Sequence, residues 1–524
     1  MSPFGRQNRQ NRQNRNSGGG GGSGPEPHAG AVRLSLSRTS RRAGEFCLVL
    51  ILVLLVNCTR VQVLQAKKYN DNAANQRAVI ARYSEPRGDI LVAGRAVTGN
   101  TRVESGAYTY RRTYTDGPLY APVTGFSSQT FGNSLLEGVE DGVLAGTDSD
   151  LASHPLLNAI SRAQVPGGDV LTTINAKAQR AAFAGLGSKR GAVAAIEPAT
   201  GKILALASTP SYDPGTITGT GSAATANWNR LNNASTQPML NRALRQTYPP
   251  GSTFKVVTLS AGLADGVYSG IDVPTDSPDP FTPADTSTPI TNESASDACA
   301  NATLRYALEV SCNTVFGKLG DDVGQSGMVK AAEAFGFNQT GQTVPVGVVP
   351  SVFDTSMTSK ALLALSSIGQ YNTAATPLEM ASVTAAIANG GLLMKPQLVA
   401  STTRADGTVL KSFGPEEFGR PISAAVADQV QQAMVTVVTS GTGGNAAIPG
   451  VTVGGKTGTA QNGVGNSGTP YAWFISWARP GGATASPVAV AVVIEDSNAN
   501  RADVSGGGLA APIARSVMQA VLGG

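Results

Sequence analysis

Tyr248-Pro-Pro-Gly-Ser252-Thr-Phe-Lys255 is the stretch on which the reading of this chain turns. Two prolines and a glycine interrupt regular structure just before Ser252, so a helix can begin there. Positions three apart are neighbours on a helix surface, which puts Lys255 beside Ser252. The pair reads as a nucleophile with its base, because histidine is scarce. The chain has two, His28 in a low-complexity tail and His154 well upstream of the serine. A histidine-dependent serine hydrolase has little to work with, and lysine is the remaining base.

Two further elements follow in order, Ser311-Cys-Asn313 and Lys456-Thr-Gly-Thr-Ala460. Each is common by chance when met alone. In this order, with the first behind Pro-Pro-Gly and the third on an expected strand, they form one chemical set. Ser252 is the nucleophile and Lys255 the general base. A buried lysine near a second cation has a lowered pKa, which suits a base, and Lys456 supplies that cation. Ser311 is placed to relay a proton between Lys255, Lys456 and the leaving group. Asn313 holds a substrate carbonyl or orients Lys255. Thr457 and Thr459 can hydrogen-bond a substrate carboxylate that Lys456 attracts, and Gly458 lets strand and substrate approach closely. The backbone N–H groups of Ser252 and Thr459 are oxyanion-hole candidates.

At 524 residues the chain has room for two or three domains, and a 41% hydrophobic content supports a substantial core. The net charge is +5, and much of the basic excess precedes residue 45. That placement points to a membrane flank and away from a nucleic-acid surface. Residues 1–42, with Arg-Gln-Asn triplets and Gly18 to Gly22, are expected to be a disordered cytoplasmic tail. Residues 43–64 hold an apolar run from Phe46, long enough when extended through Val63 to span a bilayer. Cleavage signals after Val56 are poor, so an uncleaved anchor is expected. Arg33, Arg38, Arg41 and Arg42 precede it, which keeps the N-terminus inside and exports the rest.

Residues 65–165 carry short strand signals and no catalytic constellation, and read as a non-catalytic pedestal or interaction domain. Glu137, Glu140 and Asp141 there read as a solvated acidic face. From 166 to 524 the pattern tightens. Strands are expected over 169–174, 191–196, 202–208, 451–458, 472–478 and 488–495. Helices are expected over 175–186, 253–263 and 509–522, and the pattern as a whole predicts an α+β fold. Cys299 and Cys312 are the only cysteines after the apolar run. They either form a disulfide, if this part is extracellular, or are two buried thiols. No cysteine–histidine cluster has zinc spacing, so no metal and no cofactor is expected.

The chain resembles class B penicillin-binding proteins, and among them the actinobacterial cell-division group of PbpA type. The three motifs carry the resemblance. Further stretches that do so include Asn70-Asp-Asn72, Gln76-Arg77, Pro86-Arg87-Gly88-Asp89-Ile90, Tyr120-Ala-Pro-Val-Thr-Gly-Phe126, Ser367-Ile-Gly-Gln370 and Gly506-Gly507. The resemblance implies a serine β-lactamase/transpeptidase-like domain, a five-stranded antiparallel sheet with helices on both faces. It implies a D,D-transpeptidase that acts on peptidoglycan stem peptides derived from lipid II. Ser252 would form an acyl-enzyme and release D-alanine, and β-lactams would acylate the same serine. No transglycosylase domain is apparent. Glycan polymerisation would fall to a SEDS-type glycosyltransferase in the same membrane, alongside other division proteins. Two alternatives stand beside this reading. One is a D,D-carboxypeptidase or β-lactamase on the same fold; the other is a non-catalytic penicillin-binding sensor or division scaffold.

Overall fold

The computed structural model describes residues 38–523, apart from 66–67, 70–79, 81, 105–107, 152–164, 464–466 and 497–499. The low-complexity tail before residue 38, His28, Arg33, His154 and the Asn70–Asn72 and Gln76-Arg77 stretches lie outside the described residues. The chain divides into two units, Met1–Asn75 and Gln76–Gly524. In the first, a helix over Arg38–Leu64 is long and apolar enough to cross a membrane. Its leucines and valines, from Leu48 to Val56, are exposed. The helix starts at Arg38, so Arg38, Arg41 and Arg42 ride on its first turns.

The second unit is built on an antiparallel sheet of five strands, β1 (Arg190–Ile196), β2 (Ile203–Thr209), β3 (Val451–Ala460), β4 (Tyr471–Pro480) and β5 (Val488–Asp496). Their spatial order is β3-β4-β5-β1-β2. Both faces are buried. Ala192, Ala194, Trp473, Ile475, Ala491 and Val493 join one core, and Val193, Ala195, Phe474, Val490 and Val492 join another. That two-residue alternation is the pleat, and apolar side chains on both sides of it demand a helical layer on each face. In chain order the covering helices are α1 (Ala176–Leu186), α2 (Lys255–Ala264), α3 (Asn313–Ala334), α4 (Pro377–Ala388), α5 (Ala424–Thr439) and α6 (Ala511–Leu522). α1 and α6 cover one face, and the others lie on the opposite side. The expected α+β sandwich is present.

The segment 169–172 does not enter this sheet. It pairs in parallel with Ile90–Val92 and antiparallel with Val399–Thr403. The acidic face expected at 137–141 is corrected by the structure. Glu137 is fully buried, and its carboxylate accepts from Arg112 Nε at 2.5 Å and Arg87 Nη2 at 3.1 Å. Asp141 accepts from Arg87 Nη1 at 2.8 Å and pairs with Arg82. Two buried guanidiniums need a buried anion between them, and Glu137 supplies it.

α4 is buried on nearly every side, as a helix apolar all round must be. Thr376 caps it by accepting from the Glu379 backbone N–H. Glu379 itself is buried beside a cavity of about 290 Å³, and its Oε1 has no hydrogen-bond partner among the described residues. Burial alone raises its carboxyl from 4.5 to about 8. Below pH 4.5 the group is protonated both folded and unfolded. Between 4.5 and about 8 the folded chain keeps a proton that the unfolded chain releases, so stability falls as pH rises. Glu379→Gln is therefore expected to stabilise the protein by about 3 kcal/mol at pH 7 and to flatten that dependence. Unfolding midpoints across this pH range check it; identical slopes for the two proteins would refute it.

Candidate active site

Gly251–Phe254 forms a 3₁₀ turn that runs directly into α2. In that tighter turn positions three apart eclipse, which puts Ser252 and Lys255 on one side of it. The turn is braced on both sides. Gly251 N–H donates to Gly369 O at 2.9 Å, and Thr258 Oγ1 donates to Ser367 O at 2.6 Å. A Cβ on Gly369 would lie 2.1 Å from Gly251 O, so only glycine permits this approach. Phe254 stacks on Phe353 and meets Phe337 edge to face.

The second motif arrives from a helix end. Leu304–Val310 stops at Ser311, whose φ of 71° and ψ of 41° place it in the left-handed region. A serine held there carries strain that its surroundings must maintain. The next residue, Cys312, is disulfide-bonded to Cys299, and this settles the pairing that the sequence left open. Asn313 then begins α3, capped by Asn292, whose Oδ1 accepts from the Asn313 and Thr314 N–H groups at 2.7 and 3.1 Å.

The two lysines meet at Ser311. Lys255 Nζ donates to Ser311 O at 2.7 Å and to Asn313 Oδ1 at 2.7 Å, with Ser311 Oγ at 3.2 Å. Lys456 Nζ lies 2.9 Å from the same Ser311 Oγ and 3.0 Å from Thr457 O. Both lysine side chains are fully buried. Burial, and then the positive charge of Lys456, hold Lys255 well below its ordinary value, which favours the neutral amine. Burial brings Lys456 down to about 7. The negative charge of Glu293 opposes both shifts.

The third motif is β3, an edge strand of the sheet. It packs directly on the turn that carries Ser252. A Cβ on Gly458 would meet Pro250 O and Thr253 Cγ2, each at 3.0 Å, and Trp473 donates from Nε1 to Pro249 O at 2.9 Å. Successive side chains alternate, so Thr457, Thr459 and Gln461 share one side. Ser252, Asn313, Thr459 and Gln461 line a cleft of about 590 Å³. Ser311, Lys255 and Lys456 stand behind its wall. Thr457 is set back, its hydroxyl 2.7 Å from that of Thr442.

Residues 191–519 match the family model described as penicillin binding protein transpeptidase domain. The chain belongs to the penicillin-binding protein transpeptidase family. Residues 87–170 also match the penicillin binding protein A dimerisation domain. Among curated relatives of this penicillin-binding protein is peptidoglycan D,D-transpeptidase PbpA of Mycolicibacterium smegmatis. It is 38% identical over 499 residues, which span 93% of this chain and 99% of the relative. The PbpA of Mycobacterium tuberculosis strain H37Rv is 37% identical, over 93% of this chain and all of that one. A solved structure of penicillin-binding protein A from M. tuberculosis, a ceftriaxone acyl-enzyme complex, superimposes with a TM-score of 0.79 at 36% identity. It covers 84% of this chain and 100% of that one. The penicillin G acyl-enzyme complex gives a TM-score of 0.77 at the same identity and the same coverage of both chains.

Sequence reading named the three motifs and missed what holds them. Thr291, Asn292, Glu293 and Tyr371 line the same cleft. Thr442 anchors Thr457. None sits in a motif with a chemical signature, and Asn292 caps α3 from 21 residues upstream, where no helix-start pattern exposes it.

Proposed function

We propose that this penicillin-binding protein cross-links peptidoglycan stem peptides through an acyl-enzyme on Ser252. The observation that carries the reading is the meeting of Lys255, Ser311, Asn313 and Lys456 at the cleft that Ser252 and Asn313 line. Lys255, whose burial favours the neutral amine, takes the proton from Ser252 Oγ as that oxygen attacks the carbonyl between two D-alanines. The tetrahedral oxyanion is held by the Ser252 and Thr459 N–H groups. Ser311 passes the proton from Lys255 to the leaving nitrogen, and D-alanine departs. Lys456 draws the substrate carboxylate to Thr457 and Thr459. An amine from a neighbouring stem then attacks the acyl carbonyl, its proton passes by way of Lys255 to the departing Ser252 Oγ, and the serine is regenerated.

The arrangement along the chain supports a matching division of labour. The tail before residue 43 lies in the cytoplasm, 43–64 anchors, 65–165 is the pedestal and 166–524 carries the chemistry outside the membrane. Glycan polymerisation is left to a SEDS-type partner in the same membrane, and cell division is the setting the resemblance favours. Full-length protein incubated with a fluorescent penicillin is expected to label covalently, and Ser252→Ala to abolish the label. Label that survives in Ser252→Ala would overturn the assignment.

A further inference from the structure

Between α2 and α3 the chain makes an excursion, closed at its base where Asn301 N–H donates to Ser277 O at 2.7 Å and Thr275 Oγ1 to Ala302 O at 2.6 Å. Phe281 and Ile290 exchange backbone hydrogen bonds and pack on Ala364. The end of the excursion is tied to the second motif. Asn313 Nδ2 donates to Thr291 O at 3.0 Å, and Asn292 caps α3. Glu293 follows directly, so its backbone is fixed relative to Asn313, which holds Lys255.

Glu293 is the one carboxylate among the described residues lining the cleft around Ser252. It is exposed and makes no ion pair with the described residues. The two buried lysines both feel its charge. Opposite stand Thr459 and Gln461, with Lys456 behind, on the wall that suits a carboxylate. A second carboxylate across the cleft repels an anionic donor terminus and attracts a cation. The reaction brings one cation to this cleft, the ammonium form of the incoming amine.

We propose that Glu293 is the specificity residue for the acyl acceptor and binds its ammonium group beside the Ser252 acyl-enzyme. This rests on the transpeptidase reading above. Glu293 takes no proton itself: the bound ammonium sheds one proton to solvent, and as the amine attacks, its second proton passes through Lys255 to Ser252 Oγ. The contact is solvent-exposed, so it weakens as salt rises.

The test uses full-length enzyme in detergent with an N-acyl-D-alanyl thioester as donor. Products are partitioned among hydrolysis, transfer to a lysine-containing peptide and transfer to hydroxylamine, a neutral nucleophile. Glu293→Gln is expected to lower transfer to the cationic peptide, relative to hydrolysis, by about tenfold, the scale of one charge-assisted contact. The hydroxylamine ratio should move by less than about twofold, the scale of a screened surface charge. Glu293→Asp should restore the peptide ratio, and added salt should erode it in the parent enzyme but not in Glu293→Gln. An unchanged ratio, an equal fall with both nucleophiles, or a loss of hydrolysis alone would each overturn the inference. The last outcome would make Glu293 a water-activating base. Failure of the unaltered enzyme to acylate Ser252 would instead sink the transpeptidase reading, and it is read separately.

Discussion

Lys255→Arg is expected to slow acylation of Ser252 by penicillin by about 10²–10⁴-fold, the usual weight of a positioned base. Arginine keeps the positive charge and much of the length, so a purely electrostatic role for Lys255 would leave substantial activity. It cannot deprotonate in a protein, so a role as base is lost. The site is arranged for the neutral amine. Burial removes water that would stabilise the ammonium, and Lys456 adds repulsion. Acylation is accordingly expected to fall as pH drops and Lys255 takes up a proton. Lys456→Met removes the repelling charge and raises the Lys255 pKa, so the acid limb of the pH profile should move to higher pH. Glu293→Gln removes an attracting charge and should move it to lower pH. Second-order acylation rates across pH decide this; a limb that stays in place in both variants would refute the coupling.

Glu137→Ala is expected to cost about 3–5 kcal/mol of stability, the scale for breaking a buried ion pair from one side. The residue lies between Arg87 and Arg112, each all but excluded from solvent. Its loss leaves two guanidiniums facing one another, with Asp141 and Asp89 as the remaining anions. Replacing all three by apolar residues should cost less, because the anions left, Asp141 and Asp89, are partly exposed and Asp141 keeps Arg82. Denaturant midpoints of the full-length variants check both statements. A shift under 1 kcal/mol for Glu137→Ala would show that water reaches this cluster.

Much of the candidate site was legible because its spacing is local. Ser252 and Lys255 lie three apart at a helix start, and Lys456, Thr457, Gly458 and Thr459 lie on one strand, so composition and spacing expose them. The central sheet was legible for the same reason, as apolar runs of strand length separated by turn residues. The 169–172 strand shows the limit. Its pattern announced a strand, but its partners, Ile90–Val92 and Val399–Thr403, are remote in the chain. The misread acidic face at 137–141 shows the other limit. Glutamate is a surface residue by habit, and only the approach of Arg87 and Arg112 makes its burial tolerable.

The linear chain by itself determined which groups can do chemistry here: a hydroxyl with an amine one turn away, a second amine on an edge strand, and almost no imidazole. Tertiary structure alone decided how they work. It holds Ser311 in a left-handed conformation between two amines, ties Cys312 to Cys299, and sets Glu293 across the cleft. Proton affinity and recognition depend on distance and on exclusion of water, and both are made by segments that meet only when the chain folds.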